Sequence, residues 1–166
     1  LYRQCDATAD SGYSTTWTWS GWVKRSRLGS PEQGIFMNKK DSDNTASRFR
    51  MSFGSNHRLL WECKDSTNSD DNSFQTNMEF KDTNAWYHIV ANFDCSLSTP
   101  TAKLYVNGEE PSLQTSTIYS QNATTSWNTD YAVRIGEGSS LGGSDFEGIM
   151  SDVYFIQGYK YDASTF

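Results

Sequence analysis

Two alternating runs in the middle of the chain predict its central strands. In the run WYHIVANFD over residues 86–94, every second side chain from Tyr87 onward shares one face of a strand. A second alternating run over residues 102–106 ends in Asn107 and Gly108. Because Asn-Gly adopts the positive φ angles of a tight hairpin turn, we expect the chain to reverse there. Two strands and a turn at this spacing predict the middle of a β-sandwich.

The first long run, TWTWSGWVKR over residues 16–25, also alternates. It places Trp17 and Trp19 on one face of a strand and Trp22 on the opposite face. Burial in the core accounts for the first two indoles. An indole on the opposite face is either covered by a neighbouring loop or exposed, and only the exposed case would serve a ligand.

Shorter alternating runs predict the remaining strands. The runs over residues 48–53 and 58–63 stand on either side of a short polar link, which predicts a second hairpin. Strand formers separated by turn formers along all 166 residues indicate an all-β chain of roughly 10–12 strands in one domain. Further strands are predicted over residues 35–37, 74–80, 131–136 and 146–157.

The last predicted strand, FEGIMSDVYFIQ over residues 146–157, carries apolar side chains on both faces. Unbroken alternation places Ile149 on the same face as Val153, and Asp152 on the same face as Tyr154. The pattern therefore predicts that Ile149 and Val153 point in one direction and Tyr154 in the other.

The acidic balance of the chain excludes one class of partner. With a net charge of −6 and a pI of about 4.8, the chain lacks the clustered Lys and Arg that contact phosphate backbones. Its one basic cluster, Lys24, Arg25 and Arg27, is short, and we expect it to be a solvated strand end. We therefore expect no nucleic-acid partner.

The hydropathy and the two ends of the sequence indicate whether the chain enters a membrane and whether it belongs to a longer protein. No apolar run approaches the roughly 20 residues of a membrane-spanning helix, and the N-terminus lacks the apolar core of a signal peptide. We therefore expect no membrane insertion. The sequence begins without Met and stops at Phe166, which favours a segment of a longer protein.

The three cysteines do not form a disulfide scaffold. Cys5, Cys63 and Cys95 are odd in number, and His57 and His88 stand far apart in sequence with no C-x-x-C nearby, so no Cys-His metal site is indicated. We expect Cys63 and Cys95 to be small buried apolar residues. A bridge between two of the three remains the alternative.

Two polar loops carry carboxylates that could bind calcium. Asp41 and Asp43 resemble the start of a calcium loop, but Ala46 stands where the sharply turning Gly belongs. Asp65 and Asp70 lie in a second loop. Turn formation and solubility explain all four carboxylates equally well. We expect no cofactor, with calcium at these positions as the alternative.

Aromatic side chains surrounded by Asn and Asp are the candidate ligand contacts. Sugar rings present apolar faces that stack on aromatic rings, while their hydroxyls bond to amides and carboxylates. Packing in the core could use any of these aromatic residues instead. The candidates are Trp22, Tyr119, Trp127, Tyr159 and Tyr161.

Several separated segments resemble one family. In order along the chain, they are WTWSGWVKR, WYHIVANFD, KLYVNGEE, RIGEG and FEGIMSDVYFIQGYKYDASTF. Together they resemble the laminin-G-like, concanavalin-A-like domains, in the version found in structural proteins of tailed phages and related viruses. The resemblance covers nearly the whole chain and implies one jelly-roll β-sandwich of two antiparallel sheets over residues 1–166.

The resemblance implies a non-catalytic virion module for adhesion or assembly, as part of a fibre, a tail or a capsid decoration. Its expected location is the virion surface, its expected partners are other virion proteins or copies of itself, and its expected ligand is host carbohydrate. The alternative is an extracellular cell-surface adhesion domain, for which the Asn122 sequon would be glycosylated.

Enzyme motifs of this superfamily are missing from the sequence. Retaining glucanases on this fold carry an E-x-D-x-x-E strand that places two carboxylates about 5 Å apart, and no such run occurs here. No G-x-S-x-G elbow occurs either, and we expect His88 to be a hydrogen-bonded structural imidazole. The chain is therefore not expected to be an enzyme, and a glycoside hydrolase without the usual motif is the least favoured reading.

Overall fold

A computed structural model describes most of the chain, and all of its regular structure there is strand apart from one 3₁₀ turn at Ala163–Thr165. The described residues are 3–4, 15–29, 32–39, 48–64, 71–118, 120–122, 132–137 and 145–166. The strands are β1 (Arg3–Gln4), β2 (Thr16–Arg25), β3 (Gln33–Lys39), β4 (Arg48–Phe53), β5 (Arg58–Lys64), β6 (Asp71–Glu79), β7 (Tyr87–Asp94), β8 (Thr101–Val106), β9 (Leu113–Thr117), β10 (Ala132–Ile135) and β11 (Gly148–Gln157).

The strands form two antiparallel sheets. One sheet has seven strands in the order β1-β10-β3-β4-β5-β6-β9, and the other has four in the order β11-β2-β7-β8. This confirms the predicted all-β sandwich, and the eleven strands of the described residues fall within the predicted number.

The core between the sheets is built around aromatic rings in contact with one another. Trp17 of β2 contacts Phe49 of β4 and Trp61 of β5 edge to face, with ring centroids 4.9 Å and 5.4 Å away. These three side chains are fully buried, as is Trp19. Each such ring contributes about 1.5–3 kcal/mol through burial, so this cluster holds the two sheets together.

The predicted turn after β8 is present, but it does not make a hairpin. Asn107 and Gly108 have φ angles of 53° and 86°, as the Asn-Gly pair requires. Beyond the bridge between Val106 and Glu109, the chain leaves the four-stranded sheet, and β9 pairs with β6 in the other sheet. After this turn, the chain crosses from the four-stranded sheet to the seven-stranded sheet.

The predicted face assignment of the last strand is wrong. The register of β11 shifts between Ser151 and Tyr154, and Asp152 has a φ of 50°. This β-bulge adds one residue to the strand and reverses the alternation beyond it. Val153 consequently packs against the core together with Met150 rather than pointing the same way as the exposed Ile149.

The basic cluster on β2 is not a solvated strand end. Arg25 is fully buried, and its Nη1 donates a hydrogen bond of 2.8 Å to the carbonyl of Phe80. Its guanidinium carbon lies 4.8 Å from the ring centroid of Phe53. Alternation continues to the end of β2 and turns this side chain inward, so the prediction holds only for the exposed Arg27 and not for Arg25.

Two of the three cysteines lie in the described part of the chain. Cys63 and Cys95 are buried, as expected from the sequence, and Cys5 lies outside the described residues. Within the part of the chain that the structure covers, no helix is long and apolar enough to cross a membrane.

Candidate functional site

The outward face of the four-stranded sheet brings polar and aromatic side chains together. Strand β2 lies in the interior of this sheet, so residues on its outward face have neighbours on both sides. Trp22 of β2 is paired with His88 of β7 and with Ser151 of β11. Strand pairing thus places an indole at the centre of this face.

Trp22 is exposed despite its position in an interior strand. Its side chain is 39% exposed, whereas Trp17 and Trp19 on the inward face are fully buried. Its ring stacks on the imidazole of His88, with centroids 4.9 Å apart and an angle of 23° between the planes. The indole is therefore supported from one side and accessible to solvent from another.

His88 is fixed by hydrogen bonds to its neighbours. Its Nε2 lies 3.0 Å from the hydroxyl of Ser20, and its backbone N–H donates to Asn107 Oδ1 at 2.9 Å. Burial lowers the pKa of His88, so the ring is neutral at neutral pH. This imidazole supports the Trp22 indole, in agreement with the structural role expected from the sequence.

The C-terminal segment, residues 158–166, covers part of the same face. The Thr18 hydroxyl donates to the carbonyl of Tyr159 at 2.9 Å and accepts from the N–H of Tyr161 at 2.8 Å. Asn92 Nδ2 donates to the carbonyl of Tyr161 at 2.8 Å. The segment thereby buries the outward polar groups of β2 and β7 at one end of the sheet.

The segment ends beside Trp22. The Phe166 ring stacks on Tyr154 of β11 with centroids 6.2 Å apart and meets His88 edge to face at 6.3 Å. A groove of about 530 Å³ remains between the C-terminal segment and β11, with Trp22 and His88 in its lining. We call this the aromatic groove.

The aromatic groove continues past Trp22 toward Trp86, which is also 39% exposed. A further depression of about 450 Å³ lies there, beside Asn107 and Gly108. The described residues that line the whole groove are Ser20, Trp22, Trp86, His88, Asn107, Gly108, Ser151, Asp152, Tyr154, Ile156, Ala163, Thr165 and Phe166.

One carboxylate stands at the edge of this groove. Asp152 occupies the bulge of β11 with a φ of 50°, and the Ser151 hydroxyl donates a 2.9 Å hydrogen bond to its Oδ2. A non-glycine residue in this backbone region is strained, and Asp is among the few that tolerate it. The bulge thus holds a solvent-exposed acceptor beside Trp22.

The aromatic candidates from the sequence do not form one site. Trp22 lines the groove, whereas Tyr159 and Tyr161 stack on each other at 5.9 Å near Thr18, at the other end of the sheet face. Tyr119 and Trp127 lie outside the described residues. The candidates that can be placed therefore fall into two separate groups.

The calcium candidates Asp41, Asp43, Asp65 and Asp70 also lie outside the described residues. Within the ranges that the structure describes, no group of three or more His, Cys, Asp or Glu side chains is arranged to hold a metal ion.

Of the residues that line the groove, the sequence singled out only Trp22 as a ligand contact, and the exposed aromatic residues and the carboxylate beside it were missed. Trp86 could have been singled out, since its parity in the run 86–94 is opposite to that of the core residues. Asp152 and Tyr154 depend on the bulge, which interrupts the alternation without a sequence signal that we recognise. Phe166 depends on the path of the C-terminal segment across the sheet.

A family model described as Concanavalin A-like lectin/glucanases superfamily, Laminin_G_3, matches residues 3–159 of the chain. This match confirms the superfamily to which the sequence motifs point. No curated protein matches the chain in sequence.

Solved structures share the fold at low sequence identity. The CBM40 of the Ruminococcus gnavus IT-sialidase, bound to α2,3 sialyllactose, has a TM-score of 0.63 and 10% identity, over 95% of this chain and 90% of that one. Domain 4 of the extracellular arabinanase AbnA from Geobacillus stearothermophilus, in complex with arabinotriose, has a TM-score of 0.61 and 16% identity, over 97% and 77%.

The native heptameric SAP-like pentraxin from Limulus polyphemus has a TM-score of 0.53 and 16% identity, over 86% of this chain. The present chain spans less than two thirds of that pentraxin, 64% of its length. At these identities the similarity establishes the fold alone.

Proposed function

Since the chain belongs to the concanavalin A-like lectin/glucanase superfamily, we propose that it is a non-catalytic carbohydrate-binding module whose ligand lies in the aromatic groove. The observation that carries this proposal is the exposed Trp22 indole, supported by His88 and continued by Trp86 along an open groove. An indole face stacks on the apolar face of a sugar ring, and the surrounding polar groups bond to its hydroxyls.

The exposure of these indoles supports a binding role over a purely structural one. Burial of a large apolar side chain stabilises a protein, so exposed indoles are unfavourable unless they serve a function. Exposed apolar residues that lie next to one another mark interaction sites more often than isolated ones do. Trp22, Trp86, Tyr154 and Phe166 are all exposed and line the same groove. Domains of the same fold are described in complex with sialyllactose and arabinotriose, which supports a glycan as the ligand.

The chemistry of the groove supports binding without catalysis. Glycosidases place two carboxyl groups about 5–5.5 Å or about 6.5–9.5 Å apart. Among the described residues that line the groove, Asp152 is the one carboxylate. His88 is neutral and its Nε2 is engaged by Ser20, so it serves as a support for Trp22 rather than as a general base.

A direct test is a glycan array followed by titration calorimetry on the best ligand. We expect saturable binding by the full chain and its loss in Trp22→Ala and in Trp86→Ala. Leu97→Ala is the matched control, because Leu97 is an exposed apolar residue that does not line the groove. Absence of binding by the folded protein to any glycan, or equal binding by all three variants, would refute the proposal.

We further propose that the module acts at a virion surface, in adhesion or assembly, with other virion proteins or copies of itself as partners. This rests on the resemblance of the segment FEGIMSDVYFIQGYKYDASTF to structural proteins of tailed phages. Strands β11 and β8 are the outer strands of the four-stranded sheet in the described residues, and an outer strand can pair with a neighbouring chain. Sedimentation equilibrium over a range of concentrations would detect self-association, and a monomer throughout would remove that part of the proposal.

An extracellular adhesion domain is the second candidate, and one observation favours it. Asn122 of the Asn-Ala-Thr sequon is exposed in a turn, where a glycosyltransferase could reach it. Mass spectrometry of the protein isolated from its source tests this. A glycan on Asn122 would support a secretory route and contradict assembly in a bacterial cytoplasm.

A further inference from the structure

We propose that the aromatic groove selects neutral glycans and discriminates against sialylated ones, with the Asp152 carboxylate as the specificity-determining group. The inference rests on the proposed function, since it assigns the ligand class of the same groove. It follows from the charge, the position and the hydrogen bonding of Asp152.

The described lining of the groove carries a negative charge and no positive one. Of the side chains that line it, Asp152 alone has a formal charge at neutral pH, because burial keeps His88 neutral. Lys24 lies two residues beyond Trp22 on β2, opposite Ile149, and it does not line the groove. A ligand carboxylate stacked on Trp22 would therefore meet the like charge of Asp152, whereas the cation on the same face of β2, Lys24, stands outside the lining.

The backbone fixes Asp152 where a ligand stacked on Trp22 would reach it. Ser151 pairs with Trp22, and Tyr154 pairs with Ser20, so the bulge inserts Asp152 between two register pairs that both line the groove. Its φ of 50° is costly for a residue with a side chain. Because strained residues are often found at functional sites, this backbone conformation supports a role for Asp152 in ligand binding.

The hydrogen bonding of Asp152 suits a hydroxylated ligand. The Ser151 hydroxyl occupies Oδ2, and no described residue is bonded to Oδ1. An ionised carboxylate only accepts hydrogen bonds, so it pairs with the hydroxyls of a neutral sugar. A sialic acid would instead bring its own carboxylate, which is also an acceptor, and discrimination by such repulsion is a common source of specificity.

Similarity of fold does not decide between these ligand classes. The domains that share this fold include one described with sialyllactose, which is acidic, and one described with arabinotriose, which is neutral. The charge of the groove lining is the property that separates the two classes, and here it favours the neutral one.

The test compares matched pairs of immobilised oligosaccharides, each presented with and without its terminal sialic acid, on the full chain. We expect affinity for the neutral member of a pair to exceed that for the sialylated member by about tenfold or more. Asp152→Asn removes the charge but keeps the shape and the tolerance for positive φ. It should retain neutral binding within a few fold and raise the affinity for the sialylated member.

Glu137→Gln is the matched control for net charge. Glu137 follows strand β10 of the other sheet, where its exposed side chain forms an ion pair of 2.7 Å with the largely covered Arg134. This variant should leave both affinities unchanged, which would show that the effect of Asp152 is local. Thermal unfolding of both variants confirms that the fold is retained.

The outcomes separate the inference from the proposed function. Equal or tighter binding of the sialylated members, or an unchanged ratio in Asp152→Asn, would overturn the inference and leave the binding module standing. Sialylated binding that is lost in Lys24→Gln would likewise overturn it. Failure of every glycan to bind would overturn both.

Discussion

The indole of Trp22 and the imidazole of His88 stack across strands β2 and β7, with ring centroids 4.9 Å apart. The two residues are direct register partners, and His88 is held in turn by Ser20 and Asn107. The exposed indole is thus oriented before any ligand arrives. A preoriented side chain loses less conformational entropy on binding, so this arrangement supports the glycan binding that we propose.

Two indoles on the same strand should respond to truncation in opposite ways. Trp22→Ala should cost about 2 kcal/mol or more of binding free energy and less than about 1 kcal/mol of unfolding free energy. Trp19→Ala should cost about 3–5 kcal/mol of unfolding free energy, because Trp19 is fully buried in the core. Titration calorimetry and urea denaturation measure the two quantities.

The comparison is decisive because both residues belong to β2 and differ mainly in the face that they occupy. A loss of stability in Trp22→Ala comparable with that in Trp19→Ala would show that the Trp22 indole is a structural element of the sheet. The groove would then lose its main support as a binding site.

Protonation of His88 should make the fold less stable in mild acid. Burial holds the folded-state pKa of His88 below its ordinary value of 6.5, so below that pH the unfolded chain binds more protons than the folded one. Stability should therefore be constant above about pH 6.5 and decrease as the pH falls below it. Urea midpoints measured between pH 5 and pH 8 give the slope.

The control for this pH dependence is His88→Gln, which cannot gain the proton. We expect the stability of this variant to show no decrease that begins near pH 6.5. The decrease at lower pH that is due to protonation of carboxylates should remain. Identical slopes in the two proteins would show that His88 is not the titrating group.

Arg25 should contribute much more to stability than Arg27, although both belong to the same basic cluster. Arg25 is buried, and it donates to Gln33 Oε1 at 3.1 Å and to the Phe80 carbonyl at 2.8 Å. Arg25→Ala leaves both acceptors buried without this donor and should cost about 3–5 kcal/mol of unfolding free energy. Chemical denaturation measures this cost.

Arg27→Ala is the matched comparison. Arg27 forms an ion pair of 2.9 Å with Glu147, and both side chains are about half exposed. Exposed pairs of this kind contribute about 0–1 kcal/mol, so the variant should be close to the unmodified protein in stability. Similar costs for the two substitutions would contradict the buried role of Arg25.

The parts of the fold that could be predicted from sequence are those set by local periodicity. The alternation in β2 and β7 depends only on neighbouring residues, and the structure confirms which of their side chains enter the core. The Asn107-Gly108 turn follows from backbone preference and is also confirmed. Strand β9, which follows the turn, was not predicted, because its sequence is polar and its pairing with β6 depends on residues distant in sequence.

The candidate site was harder to predict because it combines a local signal with two long-range ones. The parity of Trp22 marked it as different from the core indoles, and this required only β2. The bulge at Asp152 changes the face of every residue that follows it in β11, and periodicity analysis assumes that no such change occurs. Phe166 reaches the groove through contacts with Tyr154 and His88, which no local pattern specifies.

Glycan binding should not depend on calcium. A calcium ion takes about 6–8 oxygen ligands, usually with several carboxylates. The described lining of the aromatic groove supplies one carboxylate, Asp152. Affinity for the best glycan, measured by calorimetry in excess calcium and again after dialysis against a chelator, should therefore agree within about twofold. Loss of binding in the chelator, with an unchanged circular dichroism spectrum, would contradict this prediction. Loss of the calcium response on substitution of Asp41, Asp43, Asp65 and Asp70 by Asn would then assign the calcium to their loops.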